Sequence, residues 1–308
     1  MSWKNQLRKD SLPWLLEPAN PGVRYLALRD LFDLDPDARE CRSARKVAYK
    51  EGPIAVVLSH MEQEGYWIKP GPGYNPKYRS TVWSMILLAQ LGASAREDPH
   101  LAQACTYLLD HMAEGGRFTS TTSGAPSGTI DCLQGNLLWS LMELGYEDPR
   151  IDKAFEWMAR TVTGKLPCAW GGVKVMMAFG KLPTGQRTPL IKKAIQQGKN
   201  FFLSIDPATA QYPMRAGEKP SRNWWKFGFP LFYITDLLQL AEAMLGTGYG
   251  NDTRLSNTLS IIRNKQDNEG RWPLEYDYTG KTWIDFGKKK QPNKWVTLRA
   301  LRVLKALN

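Results

Sequence analysis

The chain has 308 residues, of which 43 % are hydrophobic, and a formal net charge of +11. This composition supplies a large hydrophobic core and excludes a disordered chain, and the positive charge favours an anionic partner. The first twenty residues lack the apolar stretch of a signal peptide, and no apolar run is long enough to cross a bilayer, so we expect a cytoplasmic protein. The four cysteines are widely spaced without a CxxC pair, which predicts free thiols: Cys41, Cys105, Cys132 and Cys168.

A marker that ends one helix and starts the next recurs along the chain. Leu91-Gly92 precedes Asp98-Pro99, and Leu144-Gly145 precedes Asp148-Pro149. Gly ends a helix in the left-handed conformation, Asp caps the next helix, and Pro suits its first turn. Weaker copies follow Leu182 and Leu245. The spacing of roughly 40–65 residues predicts two helices in each unit.

The predicted helices before each marker are apolar on all sides, and those after it are amphipathic. An apolar helix is buried, whereas an amphipathic helix has one wet face. Alternation of the two kinds predicts an all-α single domain over residues 1–308, an (α/α)6 toroid with six inner helices that start near residues 23, 80, 131, 172, 230 and 294. The predicted outer helices cover residues 101–112, 151–162, 190–203 and 255–262, with residues 38–61 as a first outer element broken near Gly52.

Four longer connections lead from outer to inner helices and carry Gly, Pro and aromatic residues. Long ordered loops on one face of a helical scaffold are where binding and catalytic sites are usually built. We therefore expect the site on the face that these loops form, at the starts of the inner helices: residues 64–79, 114–131, 204–228 and 267–293.

Two of these loops carry a shared motif. One contains Gln63, Gly65-Tyr66 and Trp67, and the other contains Gln266, Gly270 and Trp272; residues 114–118 are a degenerate copy. The motif resembles the Gln…Gly-x-Trp repeat of squalene cyclases and, with the inner-helix starts, the terpenoid cyclase and protein prenyltransferase superfamily. The resemblance implies an (α/α)6 toroid in which Gln63, Trp67, Gln266 and Trp272 fasten loops and take no part in chemistry.

The functional motifs of that superfamily are mostly missing. The nearest match to the DxDD acid of the cyclases is residues 33–37, which lack the final Asp pair. The prenyltransferase zinc site needs a histidine on an inner-helix start, but His60, His100 and His111 all fall on or beside outer helices. We therefore predict no metal and no cofactor.

The candidate catalytic residues are Asp131, Cys132, Asp236 and Tyr78. A thiol at a helix N-terminus has a lowered pKa, so Cys132, with Cys168 at the next inner helix, suits a nucleophile or a soft-metal site; the alternative is that Asp131 is a helix cap and the two thiols are small buried groups. Asp236 lies in an apolar stretch and suits a general acid; the alternative is a structural ion pair with an arginine such as Arg299. Tyr78 suits a general acid or base; the alternative is that its ring only packs against its neighbours.

The candidate ligand-binding residues are aromatic or basic side chains near the inner-helix starts: Lys77, Arg79, Trp83, Cys168, Trp170, Trp224, Trp225, Tyr233, Lys294 and Trp295. Aromatic faces stabilise carbocations, and positive charge suits a diphosphate. The leading hypothesis is an isoprenoid-handling enzyme with an apolar or anionic small-molecule ligand.

Two other classes of function stay open. A carbohydrate-active enzyme would need two carboxylates for a glycosidase, or Tyr78 with Arg79 for a lyase; its acidic candidates are Asp131, Asp236, Glu275 and Asp277. A non-catalytic binding protein is the third hypothesis. We expect no nucleic acid partner, because a closed ring cannot easily track phosphates, whereas peripheral contact with a membrane stays open.

Overall fold

The computed structural model describes residues 2–125, 131–163, 168–209 and 221–307, and this part of the chain is all-α. Short single bridges between loops are its only β-type pairings. The α-helices are α1 Leu12–Leu15, α2 Pro21–Leu31, α3 Arg39–Lys50, α4 Pro53–Leu58, α5 Thr81–Gln90, α6 Pro99–Asp110, α7 Asp131–Glu143, α8 Pro149–Val162, α9 Ala169–Lys181, α10 Pro189–Phe202, α11 Leu237–Gly246, α12 Ser256–Asn264 and α13 Lys294–Ala306. No helix in the described ranges is long and apolar enough to cross a membrane.

Six of these helices are buried and pack against one another in chain order: α2, α5, α7, α9, α11 and α13. In α5 every residue from Thr81 to Ala89 is buried. Contacts join α5 to α7, α7 to α9, α9 to α11 and α11 to α13, and α13 returns to α2. Leu26 of α2 lies against Gly92 at the end of α5. We call this set the core helices.

The remaining long helices are amphipathic and pack outside the core helices, as their sequence pattern predicts. Asp98 caps α6, Asp148 caps α8 and Thr188 caps α10, each by accepting a backbone N–H bond. Gly92 and Gly145 adopt positive φ of 82° and 69° after α5 and α7. The predicted helix-ending markers are therefore confirmed at these hairpins.

The fifth core helix begins later than the sequence pattern predicts. Residues 231–236 were expected to be helical, but α11 starts at Leu237, and Asp236 is its N-cap, with Oδ1 accepting the backbone N–H of Gln239 at 2.7 Å. The preceding chain is an irregular loop that pairs with another loop: the backbone N–H of Phe229 donates to the carbonyl of Tyr276 at 3.2 Å. We call residues 227–235 the plug segment. The expectation was wrong because an apolar stretch fits a buried loop as well as a buried helix.

The two full motif loops fasten outer helices to core helices by the same pair of hydrogen bonds. Trp67 donates its indole N–H to the Val57 carbonyl at 2.8 Å and its backbone N–H to Thr81 Oγ1 at 3.1 Å. Trp272 does the same with the Ile262 carbonyl at 2.7 Å and Thr297 Oγ1 at 2.9 Å. Both indoles are fully buried.

The motif glutamines differ from each other. Gln266 is buried; it accepts the backbone N–H of Arg8 at 3.0 Å and donates to the Gln6 carbonyl at 3.0 Å. Gln63 is exposed, and its backbone carbonyl accepts a bond from Gln103. Only the second motif therefore uses its glutamine side chain to anchor another segment, and that segment is the N-terminal one.

We predict that Trp67→Ala and Trp272→Ala each lower the free energy of unfolding by about 3–5 kcal/mol, because each removes a fully buried indole together with its N–H bond to a backbone carbonyl. Chemical denaturation measures the change, with the half-buried Trp225→Ala as a milder control. A variant that keeps wild-type stability would show that the indole does not fasten its loop.

Candidate ligand cavity

A cavity of about 330 Å³ lies among the core helices and receives side chains from all six of them. Most of the lining residues belong to the C-terminal halves of these helices, and the lining includes Leu26 of α2, Ile86 of α5 and Met177 of α9. Two residues of the plug segment, Phe229 and Leu231, also line it. The cavity therefore opens at the ends of the core helices opposite to the starts at which the sequence analysis expected the site.

The floor of the cavity is apolar because its polar groups are already bonded. Gln90 accepts the backbone N–H of Leu231 at 2.7 Å and donates to the carbonyl of the same residue at 2.8 Å. Asn136 donates to the Phe232 carbonyl at 2.8 Å. These bonds hold the plug segment in place. The surface left for a ligand comes mainly from aliphatic, thioether and aromatic groups, among them Trp139 of α7.

The rim of the cavity is a network of ion pairs that joins several core helices. Arg29 of α2 reaches Glu143 of α7 at 3.1 Å, and Lys181 of α9 binds the other oxygen of the same carboxylate. Asp30 of α2 pairs with Arg29 and with Arg302 of α13. The rim therefore places cations from three helices around the mouth, each already held by a carboxylate.

The rim carboxylates are kept ionised by their partners. Burial on its own would raise the pKa of Asp30, but Arg302 and Arg29 outweigh it and lower that pKa to about 2. Burial likewise opposes ionisation of Glu143, and Lys181 and Arg29 again prevail and lower its pKa. A carboxyl group that stays ionised near neutral pH cannot serve as a general acid.

One arginine connects the cavity wall to the plug segment. Arg299 of α13 binds both oxygens of Asp236 at 3.0 Å and Glu242 of α11 at 2.8 Å, and it donates to the Gly228 carbonyl at 2.8 Å. Burial opposes the charge on Arg299, but Asp236 and Glu242 outweigh it and raise the arginine pKa. The sequence left two roles open for Asp236, a general acid or a structural ion pair. The structure shows the ion pair with Arg299, and Asp236 is only 2 % exposed.

Several predicted site residues meet in an aromatic cluster at the starts of the core helices. Tyr78 stacks on Phe232 with ring centroids 5.2 Å apart, and Trp83 lies 5.0 Å from Tyr233. The Lys77 ammonium sits 4.5 Å above the Tyr233 ring. Burial raises the pKa of Tyr78 and raises that of Tyr233 to about 12, which does not suit either phenol to act as a base near neutral pH.

The other predicted ligand-binding residues hold loops to neighbouring segments. Trp224 and Trp225 donate their indole N–H groups to the carbonyls of Pro207 and Ala208, at 2.9 and 2.8 Å. Arg79 donates to the Thr282 carbonyl at 3.2 Å. Lys294 pairs with Glu17 at 2.7 Å, and Trp295 stacks on Phe229 at 4.6 Å between ring centroids.

Two of the four thiols, Cys41 and Cys105, are buried. The other two, Cys132 and Cys168, are partly exposed. Cys168 is the N-cap of α9, and Trp170 in the next turn accepts a bond from Thr235 through its carbonyl. Asp131 begins α7, and its side chain lies outside the described atoms. The described residues contain no group of three His, Cys, Asp or Glu side chains that could hold a metal.

None of the described residues predicted as catalytic or ligand-binding lines the cavity, but several lie one helical turn beneath its floor. Cys132 precedes Asn136 by four residues on α7, and Asp236 precedes Gln239 by three on α11; Asn136 and Gln239 line the cavity. Residues three or four apart share a helix face. Cys132 and Asp236 therefore lie on the cavity side of their helices, one turn away from the lining.

The polar lining residues at the ends of the core helices were missed, although the sequence carries a signal for them. Asp30, Gln90, Glu143 and Lys181 each directly precede the leucine that ends a core helix. A polar side chain repeated at the same place in four otherwise apolar helices indicates a shared polar surface, and the structure shows that all four line the cavity.

Comparison with known proteins gives a distant structural similarity. No family model matches the chain, and no curated protein matches it. A crystal structure of a protein from Actinoplanes is similar at 14 % sequence identity, with 95 % of this chain and 89 % of that chain covered and a TM-score of 0.47.

We predict that Asp236→Ala lowers the free energy of unfolding by about 3–5 kcal/mol, because it leaves the buried Arg299 guanidinium without one of its two carboxylates and removes the cap of α11. Urea denaturation measures the effect. Glu269→Ala, which breaks the exposed pair with Lys9, is the matched control and should change stability far less. Equal effects of the two variants would contradict the structural role of Asp236.

Stability should also depend on pH through Asp30. Its pKa is lower in the folded chain than the ordinary 3.8, so its stabilising contribution is complete above about pH 4 and is lost as the pH falls towards 2. Between pH 5 and pH 2 the wild type should lose about 2 kcal/mol more than Asp30→Asn. Parallel pH profiles of the two proteins, from denaturation at each pH, would contradict the ion-paired state.

Proposed function

We propose that the protein is an α/α toroid that binds a small molecule with an apolar body and a polar or anionic end, and that this ligand belongs to the isoprenoid class. The observation that carries the proposal is the division of the cavity into an apolar floor and a charged rim. Such a surface suits a hydrocarbon chain inserted between the core helices with its head group at the mouth.

The toroid part of the proposal rests on the order of helix contacts. The core helices neighbour one another in chain order, and α13 returns to α2. The N-terminal segment docks on the last motif loop through Gln266, next to the helix that completes this order. A ring of paired helices accounts for both features.

The charge of the lining favours a ligand whose polar end is anionic. Four cationic side chains line the cavity, Arg29, Lys181, Arg299 and Arg302, against the three carboxylates Asp30, Glu143 and Glu242, which leaves four minus three, or one, positive charge. The whole chain carries +11. An anionic head group at the rim would take up donors that are now shared between carboxylates.

The geometry supports an isoprenoid ligand better than a carbohydrate. A glycosidase needs one protonated carboxyl group, whereas basic partners hold Asp30 and Glu143 ionised and Glu242 is paired with Arg299 at 2.8 Å. The amides that would bind sugar hydroxyls are occupied by the plug segment. For an enzyme that handles isoprenoids, the face of Trp139 in the lining is the group suited to a developing positive charge.

We predict that farnesol and farnesyl diphosphate bind the protein and that maltotriose does not, as measured by intrinsic tryptophan fluorescence and native mass spectrometry. Ala306 lines the cavity and is exposed, so Ala306→Trp should block the mouth without disturbing the core and weaken farnesol binding at least tenfold. Ser260→Trp, on the exposed face of α12, is the matched control.

Two results would contradict the proposed function. One is the absence of binding of either isoprenoid by the folded protein. The other is farnesol binding that Ala306→Trp leaves unchanged, because this would place the ligand outside the cavity.

A further inference from the structure

Beneath the floor of the cavity lies a fully buried lysine. Lys174 of α9 has no exposed surface, and its ammonium group donates to Gln239 Oε1 at 2.5 Å and lies 3.5 Å from the Ile234 carbonyl. In the described part of the chain no carboxylate lies within ion-pair distance of it. Its contacts are two neutral oxygens, which stabilise a buried positive charge poorly.

The hydrogen-bond partner of this amine is a residue of the cavity lining. Lys174, Met177 and Lys181 are spaced three and four residues apart and therefore share one face of α9; Met177 and Lys181 line the cavity. Gln239, the hydrogen-bond partner of Lys174, lines it as well. A rotation of the Gln239 side chain would expose the amine to a ligand on the floor.

The close packing of α7 against α9 fixes the position of Lys174. A Cβ atom at Gly135 would lie 2.4 Å from the Lys174 carbonyl carbon, so only glycine allows this approach. Cys132 lies one turn earlier on α7 and interacts electrostatically with the amine. The close approach of the two helices thus fixes the position of the lysine backbone.

We propose that Lys174 is a nucleophile that forms a Schiff base with an apolar aldehyde or ketone bound in the cavity. This inference rests on the proposed function, since it takes an apolar ligand on the cavity floor as given. The class of ligand follows from the chemistry of the amine and the apolar walls around it.

The reaction needs no group beyond the amine and the carbonyl compound. The neutral amine adds its lone pair to the carbonyl carbon and gives a carbinolamine after proton transfer from nitrogen to oxygen. Loss of the hydroxyl group and of the remaining N–H proton as water leaves the imine. No oxidant or reductant is consumed, and hydrolysis reverses the step.

The environment of Lys174 supplies the neutral amine that this step requires. Burial is the main cause that lowers its pKa, to about 7; Asp236, Cys132 and Glu242 oppose the shift and Arg299 reinforces it. Desolvation activates a lysine in the same way at other buried sites. Lys181 at the rim, paired with Glu143, is the natural comparison because its ammonium group is stabilised.

The test is reductive trapping. The full-length protein is incubated at pH 7 with decanal and sodium cyanoborohydride, and the modified lysines are mapped by peptide mass spectrometry. We expect Lys174 to be alkylated at least tenfold faster than Lys181 or the exposed Lys192, and decanol to slow the reaction by competition. Gln239→Ala should accelerate the trapping, and Ala306→Trp should slow it.

Decanal adducts confined to exposed lysines would overturn the inference, as would an adduct at Lys174 whose rate Ala306→Trp leaves unchanged. Lys174→Met should abolish the fast adduct and retain farnesol binding. If Lys174→Met does not fold, comparing the decanal-modified lysines of the wild type with those of Ala306→Trp still tests the inference. Farnesol binding without trapping at Lys174 would refute this inference alone, whereas loss of both would refute the proposed function.

Discussion

The buried Arg299 guanidinium is the interaction on which the architecture of the cavity depends. It joins α13 to α11 through Asp236 and Glu242, and it joins both to the plug segment through the Gly228 carbonyl. Asp236 in turn caps α11 and accepts the backbone N–H of Gly228 at 3.1 Å. A buried charge of this kind must be satisfied on every side, so it fixes where the plug segment ends and the helix begins. The floor of the cavity is built on that arrangement.

The helices and their hairpins could be predicted from the sequence because their signals are local. Caps such as Asp98 and Asp148 and terminators such as Gly92 act within one turn, and their structural roles are as expected. The plug segment could not be predicted, because its loop conformation depends on a backbone pairing with the distant Tyr276. From the sequence alone, Leu231 was expected to begin a helix.

The sequence also could not show at which level along the core helices the cavity lies. Helical spacing assigns Cys132 and Asp236 to the face that looks towards the centre, but it does not say which turn of the helix is filled and which is open. The aromatic rings of Tyr78, Trp83 and Phe232 pack against one another at the starts of the core helices, while the opposite ends carry ion pairs and line the cavity.

A crystal structure grown in the presence of farnesol tests the central claim most directly. The account predicts electron density for the hydrocarbon chain between Trp139, Met177 and Leu231, with the hydroxyl group at the rim near Arg29. Density for farnesol against the aromatic cluster at Tyr78 and Tyr233, with the cavity filled only by water, would contradict it.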